Sequence, residues 1–170
     1  MRVQHAYLRH RSGIAGRVVI VPGVDARRDI EDRADVERLV RAFYGRALTD
    51  PIIGFLFVDV AKLDLEEHVP VIASFWETIL LGAQSYSGGA FAVHASLNRL
   101  APLRPGHFER WLALWSATVD ELFAGERAEL AKAHAQRVAR AFSRRLQGLA
   151  EEPTPGGLPP GGLTITTWRG

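Results

Sequence analysis

Apolar side chains recur at helical spacing through the middle of this chain. In the segment ADVERLVRAFYGRAL they fall at positions 36, 39, 40, 43, 44, 47 and 48, the stripe that one face of a helix buries. Asp32 or Asp35 can cap the start of this helix, and Asp50-Pro51 stops it. The short apolar segment PIIGFLF is expected to connect it to the next element.

The pattern predicts a second helix over about 67–81 and a third, shorter helix that carries His94 and ends before Pro102. Pro70 must lie near the start of the second helix, because a proline inside a helix costs about 3 kcal/mol. Gly82 is expected to end that helix.

Two further helices are predicted over about 106–124 and 126–147, and Gly148 is the expected stop of the last one. Alternation typical of strands is absent from 29–150, so the predicted fold class is all-α. The arginines of the fifth helix are expected to form a solvated face that pairs with acids. They are Arg137, Arg140, Arg144 and Arg145.

The flanks differ from this helical region in composition. Residues 1–28 lack helical periodicity and hold six arginines against one acid, so they are predicted to be a flexible extension. Residues 151–170 are rich in Pro and Gly and are predicted to be a flexible tail. One domain is therefore expected over 29–150. Because the basic character belongs to the flank and not to the folded face, we expect no nucleic-acid partner.

The chain has no cysteine, which excludes disulfides, iron–sulfur ligation and thiol catalysis. Its apolar runs stay well below the roughly 18 residues of a membrane span. The stretch VVIV at 18–21 is also too short for the core of a secretory signal. The expected location is the cytoplasm, without membrane association.

Four of the predicted helices each carry a ring with a polar group: Tyr44, His68, His94 and Trp111 in chain order. A buried hydroxyl or indole N–H needs a hydrogen-bond partner. An apolar pocket with a few convergent polar groups is the usual form of a ligand site. The simpler alternatives stay open, namely a core tyrosine, a core tryptophan, a solvent-facing His68 and a packed His94.

One neutral imidazole that is not clustered with Cys, His or carboxylates suits haem iron better than a bare metal ion. Apolar and aromatic side chains accompany the four polar rings along the same helices and would surround such a group. They are Phe43, Phe57, Ile72, Phe75, Trp76, Ile79, Phe91 and Leu97.

Four segments, in this order, resemble the truncated haemoglobins, the short globins built as a two-over-two helical sandwich, and the bacterial third group most of all. The segments are RLVRAFYGRALTDPIIGFLF, HVPVIASFWETILLG, YSGGAFAVHASL and HFERWLALWSATVDELF, and they cover roughly residues 29–147. Each segment alone is weakly specific, whereas the ordered set is specific. The resemblance implies a globin-like fold and haem b as the cofactor.

The resemblance also implies roles for individual residues. His94 would be the proximal ligand of the haem iron, with Tyr44, His68 and Trp111 on the distal side. The Gly88-Gly89 break would let a short helix present His94, whose second ring nitrogen should donate to a backbone carbonyl or water. The cofactor-lining side chains would be Phe57, which packs on the porphyrin, Phe91, Ile72, Leu97 and Trp76, the last most simply core filling.

The chain departs from the family at the glycine break, which there usually continues as Asn-Pro-Met. Here Gly89 is followed by Ala90 and Phe91, which implies a looser hinge and a ring in place of a flexible thioether.

The expected function is reversible binding of dioxygen or a related diatomic ligand, because donors from Tyr44 and Trp111 would stabilise the partial negative charge of the ligand. An alternative is a haem enzyme that turns over nitric oxide, peroxide or related species with an unknown reductase, as a nitric oxide dioxygenase or a peroxidase does. A third possibility is a haem-free helical interaction module whose aromatic residues are only core.

Overall fold

The structure is a computed structural model that describes residues 27–151, and most of the predicted extension and tail lies outside this range. The described part contains five α-helices and one short π-helix, and no strand. The predicted all-α class is therefore confirmed. The elements are α1 Arg33–Ala47, the π-helix Leu56–Val60, α2 Leu65–Leu81, α3 Ala90–Leu100, α4 Pro105–Leu122 and α5 Glu126–Glu151.

Four helices form two packed pairs. α1 packs against α2 and α4 packs against α5, and the pairs meet where α1 contacts α4 and where α2 contacts α5. α3 lies outside this arrangement and packs mainly against α5. None of the helices seen in residues 27–151 has both the length and the apolar character to cross a membrane. The largest fully buried side chains of the described residues are Trp115, Phe43, Phe123, Ile30, Leu39 and Ile53.

The apolar stripe predicted for α1 faces the interior. Its positions from 36 to 47 are all buried, and only Leu48 at the end is half-buried. Asp32 is the N-cap, because its carboxylate accepts a hydrogen bond from the backbone N–H of Asp35 at 2.9 Å. The Asp35 carboxylate is itself buried and accepts two hydrogen bonds from the guanidinium of Arg28. Of the two predicted caps, Asp32 is therefore the one used.

The segment after α1 is more ordered than the predicted connector, since a helical turn runs from Gly54 into the π-helix. Asp50 organises it. Its carboxylate accepts from the backbone N–H groups of Ile52 and Ile53 at 3.0 and 3.1 Å and from Arg110 of α4 at 2.7 Å. The sequence showed Asp50 only as part of a helix stop, because its partner Arg110 lies 60 residues away.

We expect Asp50→Asn to lower the free energy of unfolding by about 2 kcal/mol at neutral pH, because charge-assisted hydrogen bonds are lost. The bond from Arg110 is the main reason why the pKa of Asp50 is lowered. The carboxylate therefore stabilises the fold above the pKa of the unfolded chain, about 3.9, and this contribution disappears as the pH falls through the lower native pKa. The measurement is urea unfolding of the parent protein and Asp50→Asn from neutral pH down to acid pH. The exposed Asp59→Asn is the control. Equal free energies of unfolding for the parent and Asp50→Asn at neutral pH would contradict this prediction.

α2 begins at Leu65, two residues before the predicted start. Asp64 is the reason, because its carboxylate accepts hydrogen bonds from two backbone N–H groups of the first turn at 2.9 and 3.3 Å. Pro70 consequently lies in the second turn. Gly82 ends the helix as predicted, in the left-handed conformation with φ of 72°.

The break before α3 is built from two glycines with positive φ, 100° at Gly88 and 92° at Gly89. Other residues rarely adopt this conformation, so the two glycines allow the sharp change of direction that starts α3. Although α3 is rich in apolar side chains, none of its residues is fully buried. The position of α3 therefore depends on few contacts with the rest of the fold.

The prediction that Gly148 stops α5 is wrong. The helix runs from Glu126 to Glu151, and Gly148 is absent from the glycines with positive φ. A glycine inside a helix costs only about 1 kcal/mol relative to alanine, so it ends a helix only where the chain turns into the left-handed conformation.

Residues that precede α1 are joined to the folded unit. The Arg28 carbonyl accepts from the backbone N–H of Ala124 at 3.1 Å. The Asp29 carboxylate accepts from two backbone N–H groups in the first turn of α5, each at 2.9 Å. Ile30 is fully buried. Arg28, Asp29 and Ile30 are therefore in contact with the helical unit.

We expect the chain shortened to residues 27–151 to keep the unfolding temperature of the full chain. Asp29→Ala in either form should lower the free energy of unfolding by about 1 kcal/mol, because two N–H groups of α5 lose their capping acceptor. Thermal unfolding followed by circular dichroism checks both statements. A shortened chain that unfolds several degrees lower would show that a flank contributes to stability.

Candidate functional site

His94 lies in the middle of α3, with its Nδ1 2.7 Å from the carbonyl oxygen of Ala90 one turn earlier. Because a carbonyl can only accept, Nδ1 carries the proton in this bond, and the neutral ring keeps its free lone pair on Nε2. Burial lowers the pKa of His94, while the hydrogen bond to Ala90 acts in the opposite direction. This contact is of the kind expected for the second ring nitrogen, a bond to a backbone carbonyl, and it leaves Nε2 as the nitrogen with the free lone pair.

The ring of His94 also contacts α5. Its centre lies 4.9 Å from that of Phe142, with an angle of 62° between the planes. Phe142 in turn meets Phe91 at 5.3 Å. The guanidinium carbon of Arg145 lies 3.6 Å from the centre of the Phe91 ring. His94 therefore belongs to a cluster shared by α3 and α5.

The predicted pairing of the α5 arginines with acids is wrong for the side chains described, residues 27–148. Arg137 contacts His134, and Arg144 bonds to the Arg140 carbonyl. Arg145 lies over Phe91 instead of pairing with a carboxylate. Several acids of α4 and α5 pair with other cations instead: Asp120 and Glu129 pair with Lys132, and Glu121 pairs with Arg46.

A second aromatic cluster surrounds Phe43 of α1. Tyr44 meets Phe43 edge-on at 5.1 Å and Phe57 at 5.6 Å, and Trp111 meets Phe43 at 5.7 Å. Tyr44 is 8% exposed, and no group within residues 27–151 hydrogen-bonds to its hydroxyl. Burial raises the pKa of Tyr44, so the hydroxyl stays protonated and remains a donor. Tyr44, Phe57 and Trp111, predicted to lie at one site, are therefore neighbours.

Three indoles form a continuous stack from this cluster into the core. Trp111 and Trp115 are nearly parallel with centres 5.8 Å apart, and Trp115 and Trp76 are stacked at 4.3 Å. The Nε1 of Trp115 is buried and has no acceptor in the described part of the chain. Trp76 is buried, with one face on Trp115. This position favours core filling as its role.

The remaining predicted site residues, His68, Ile72 and Leu97, are half-buried side chains of α2 and α3. His68 is in the first turns of α2, and its Nδ1 is 2.9 Å from the Asp64 carbonyl oxygen, the same arrangement as in His94. Ile72 follows His68 by one turn, and Leu97 follows His94 by about one turn, so each shares a helix face with its histidine. Both are half-buried against the core.

The predicted residues thus fall into two contacting groups. Tyr44, Phe57 and Trp111 lie together around Phe43, whereas His94 and Phe91 lie against α5. No three His, Asp or Glu side chains of residues 27–151 gather as a metal-ion site.

Sequence reasoning missed the α5 contacts of His94. Phe142 falls within the predicted fifth helix without any assigned contact, and Arg145 was expected only as a solvated cation. Helical periodicity shows that a side chain faces inward, but it does not show which neighbour it meets.

Comparisons with known proteins relate this geometry to a family. A scan against protein-family models finds no match. Among curated proteins, the group 3 truncated hemoglobin ctb of Campylobacter jejuni is 25% identical over 118 residues, which span 68% of this chain and 91% of that protein. The crystal structure of the group III truncated hemoglobin from Campylobacter jejuni matches with a TM-score of 0.62 at 25% identity, covering 71% of this chain and 94% of that chain.

The chain is a relative of the group III truncated haemoglobins. Sequence and fold lead to the same group, and the match spans nearly the whole length of the relative. The predicted globin-like fold and the resemblance on which it rested are therefore confirmed. The 118 residues shared with the truncated haemoglobin correspond in number to the length of the helical region.

Proposed function

We propose that this relative of the truncated haemoglobins binds haem through Nε2 of His94 and reversibly binds dioxygen or a related diatomic ligand. The observation that carries the proposal is the bond from His94 Nδ1 to the Ala90 carbonyl, 2.7 Å long. It leaves a neutral imidazole with one available lone pair, which is the form of a histidine that ligates iron.

The residues present fit a haem group in a second respect. Tyr44 is 8% exposed and lies among the rings of Phe43 and Phe57. The indole N–H of Trp115, which also contacts Phe43, is buried and has no acceptor within residues 27–151, and an unpaired buried group typically costs about 1–3 kcal/mol. Polar donors in an apolar cluster are what a site for a small, partly charged ligand requires.

Haem iron, held by His94, would supply one open coordination position at which a diatomic ligand gains partial negative charge. Tyr44 would donate a hydrogen bond to that ligand, because its raised pKa keeps the phenol protonated. Trp111 would be the second donor, through its indole N–H. His68 would add to this stabilisation or control access of the ligand, since its Nε2 is left free by the bond to Asp64.

Apolar side chains would hold the faces of the haem and exclude water. We assign this role to Phe57, Ile72 and Leu97, which are half-buried on the inner surfaces of the fold. Phe91 would contribute mainly through its neighbours, because Arg145 covers one face of its ring. Trp76 would support these side chains from the core and not contact the haem directly, since it is stacked on Trp115.

The test is spectroscopic. We expect protein purified from cells supplied with iron, or reconstituted with haem b, to show a Soret band at one haem per chain. The ferrous form should bind dioxygen and carbon monoxide and release both when the gas is removed. A protein that takes up no haem under either condition would contradict the proposal and support a haem-free interaction module.

Turnover is the second candidate function, favoured by the presence of both Tyr44 and Trp111 around Phe43. Two donors near one ligand can also polarise a peroxide bond. Steady consumption of nitric oxide or hydrogen peroxide by the haem-loaded protein, with a reductant present, would show an enzyme that works with a reductase. Binding without turnover would show a ligand carrier.

A further inference from the structure

We propose that Phe142 and Arg145, here called the α5 brace, fix the orientation of the His94 ring and thereby set the strength of its bond to iron. This inference rests on the proposed haem function. It assigns a positioning role to two residues of α5 that would not touch the iron themselves.

The hydrogen bond to Ala90 holds only one point of the imidazole. The bond joins two residues of the same helix, so it ties the ring to α3 but not to the rest of the fold. Phe142 supplies the second point of contact, because its ring lies 4.9 Å from that of His94 at 62°, an edge-to-face geometry. Together the two contacts restrict rotation of the imidazole about its bond to Cβ.

Phe142 is itself held by a chain of contacts. It meets Phe91 at 5.3 Å with a 74° angle, and Arg145 covers Phe91 at 3.6 Å. A guanidinium stacked on an aromatic face is attracted by the electrons of the ring. Arg145 and Phe142 are three residues apart on α5, and Phe91 of α3 contacts both side chains.

This cluster matters because α3 has little other support. Two glycines with positive φ precede it, none of its residues is fully buried, and α5 is the helix against which it mainly packs. α5, in contrast, is anchored in the core by side chains such as Leu146, which is 1% exposed. The α5 brace therefore links His94 to the core and determines where the histidine lies.

The experiment measures the iron–histidine stretching frequency of the ferrous, ligand-free protein by resonance Raman and the rate of haem loss to excess haem-free myoglobin. Phe142→Leu removes the ring while keeping an apolar side chain, and Phe142→Tyr keeps the ring. Arg145→Met removes the cation and keeps the stem. Leu146→Ala is the control for general loosening of α5, because Leu146 is buried in the core and is neither of the two brace residues.

We expect Phe142→Leu to shift the stretching frequency and to speed haem loss by about two- to tenfold, the effect of one aromatic pair. Arg145→Met should change the stretching frequency and the rate of haem loss in the same direction but by less. Phe142→Tyr should keep the parent values of both. Leu146→Ala should lower the unfolding temperature and leave the frequency unchanged.

Two outcomes would overturn the inference while the haem function stands. One is an unchanged frequency in Phe142→Leu with haem loss within about twofold of the parent. The other is an equal frequency shift in Leu146→Ala, which would mean that general loosening of α5 is the cause. A parent protein without haem would overturn the inference and the proposed function together.

Discussion

Replacing His94 with alanine is expected to leave the protein without stably bound haem. His94 is the one histidine of the described chain that combines a half-buried ring on α3 with an Nδ1 bond to a backbone carbonyl and a pKa lowered mainly by burial. These features together keep Nε2 unprotonated and available. The variant removes the proposed ligand, while the side chains that would line the haem remain.

The measurement is haem content per chain, from the Soret absorbance, after reconstitution of both proteins under the same conditions. We expect at least a tenfold loss of retained haem, since tenfold in affinity corresponds to only about 1.4 kcal/mol and a ligand bond contributes more. His134→Ala is a suitable control, because that ring is also partly buried against Phe75 and Trp76 but lies on α5. Normal haem content and an unchanged Soret band in His94→Ala would eliminate His94 as the ligand.

The distal side should govern how fast dioxygen leaves. Tyr44→Phe removes only a hydroxyl and keeps the ring that packs on Phe43 and Phe57. A hydrogen bond to a charged acceptor contributes about 1.5–3 kcal/mol, so dioxygen dissociation should become about ten- to a hundredfold faster. Carbon monoxide carries less charge when bound, and its dissociation should change much less.

Trp111→Phe should also speed dioxygen dissociation, although it leaves a gap beside Trp115, with which Trp111 is stacked. Because both donors would address the same ligand, the double variant should not show the sum of the two single effects. Stopped-flow dissociation rates for both gases, on the two single variants and the double variant, provide the measurement. Dioxygen dissociation in Tyr44→Phe within about twofold of the parent would identify Tyr44 as a core tyrosine.

The sequence by itself determined the helices and most of their ends. Side chains repeat along α1 with the period of a helix, and this local property places Phe43 and Tyr44 on the buried side before any partner is known. Gly82 and the Gly88-Gly89 pair likewise act through their own backbone conformation. The ordered segments were specific enough to indicate the truncated haemoglobins, which the relative from Campylobacter jejuni confirmed.

One helix end and one turn could not be predicted from the sequence. Gly148 looked like a stop, yet α5 continues to Glu151, because a glycine that keeps a helical backbone does not end a helix. The turn after α1 is held by Asp50 and Arg110, which meet across two helices. Their pairing depends on how α1 and α4 pack, and no spacing along the chain encodes it.

The surroundings of His94 also divide into contacts that the sequence predicts and contacts that only the tertiary structure shows. That a histidine lies in a short helix after a glycine break could be predicted from the local sequence, and a bond from its second ring nitrogen to a backbone carbonyl or water could be expected; the structure shows the Ala90 carbonyl in this place. Only the tertiary structure decided that Phe142 lies against this ring and that Arg145 covers Phe91 in place of pairing with an acid. The reason is physical: periodicity gives the direction of a side chain relative to its own helix, whereas its neighbours depend on the packing of α3 against α5.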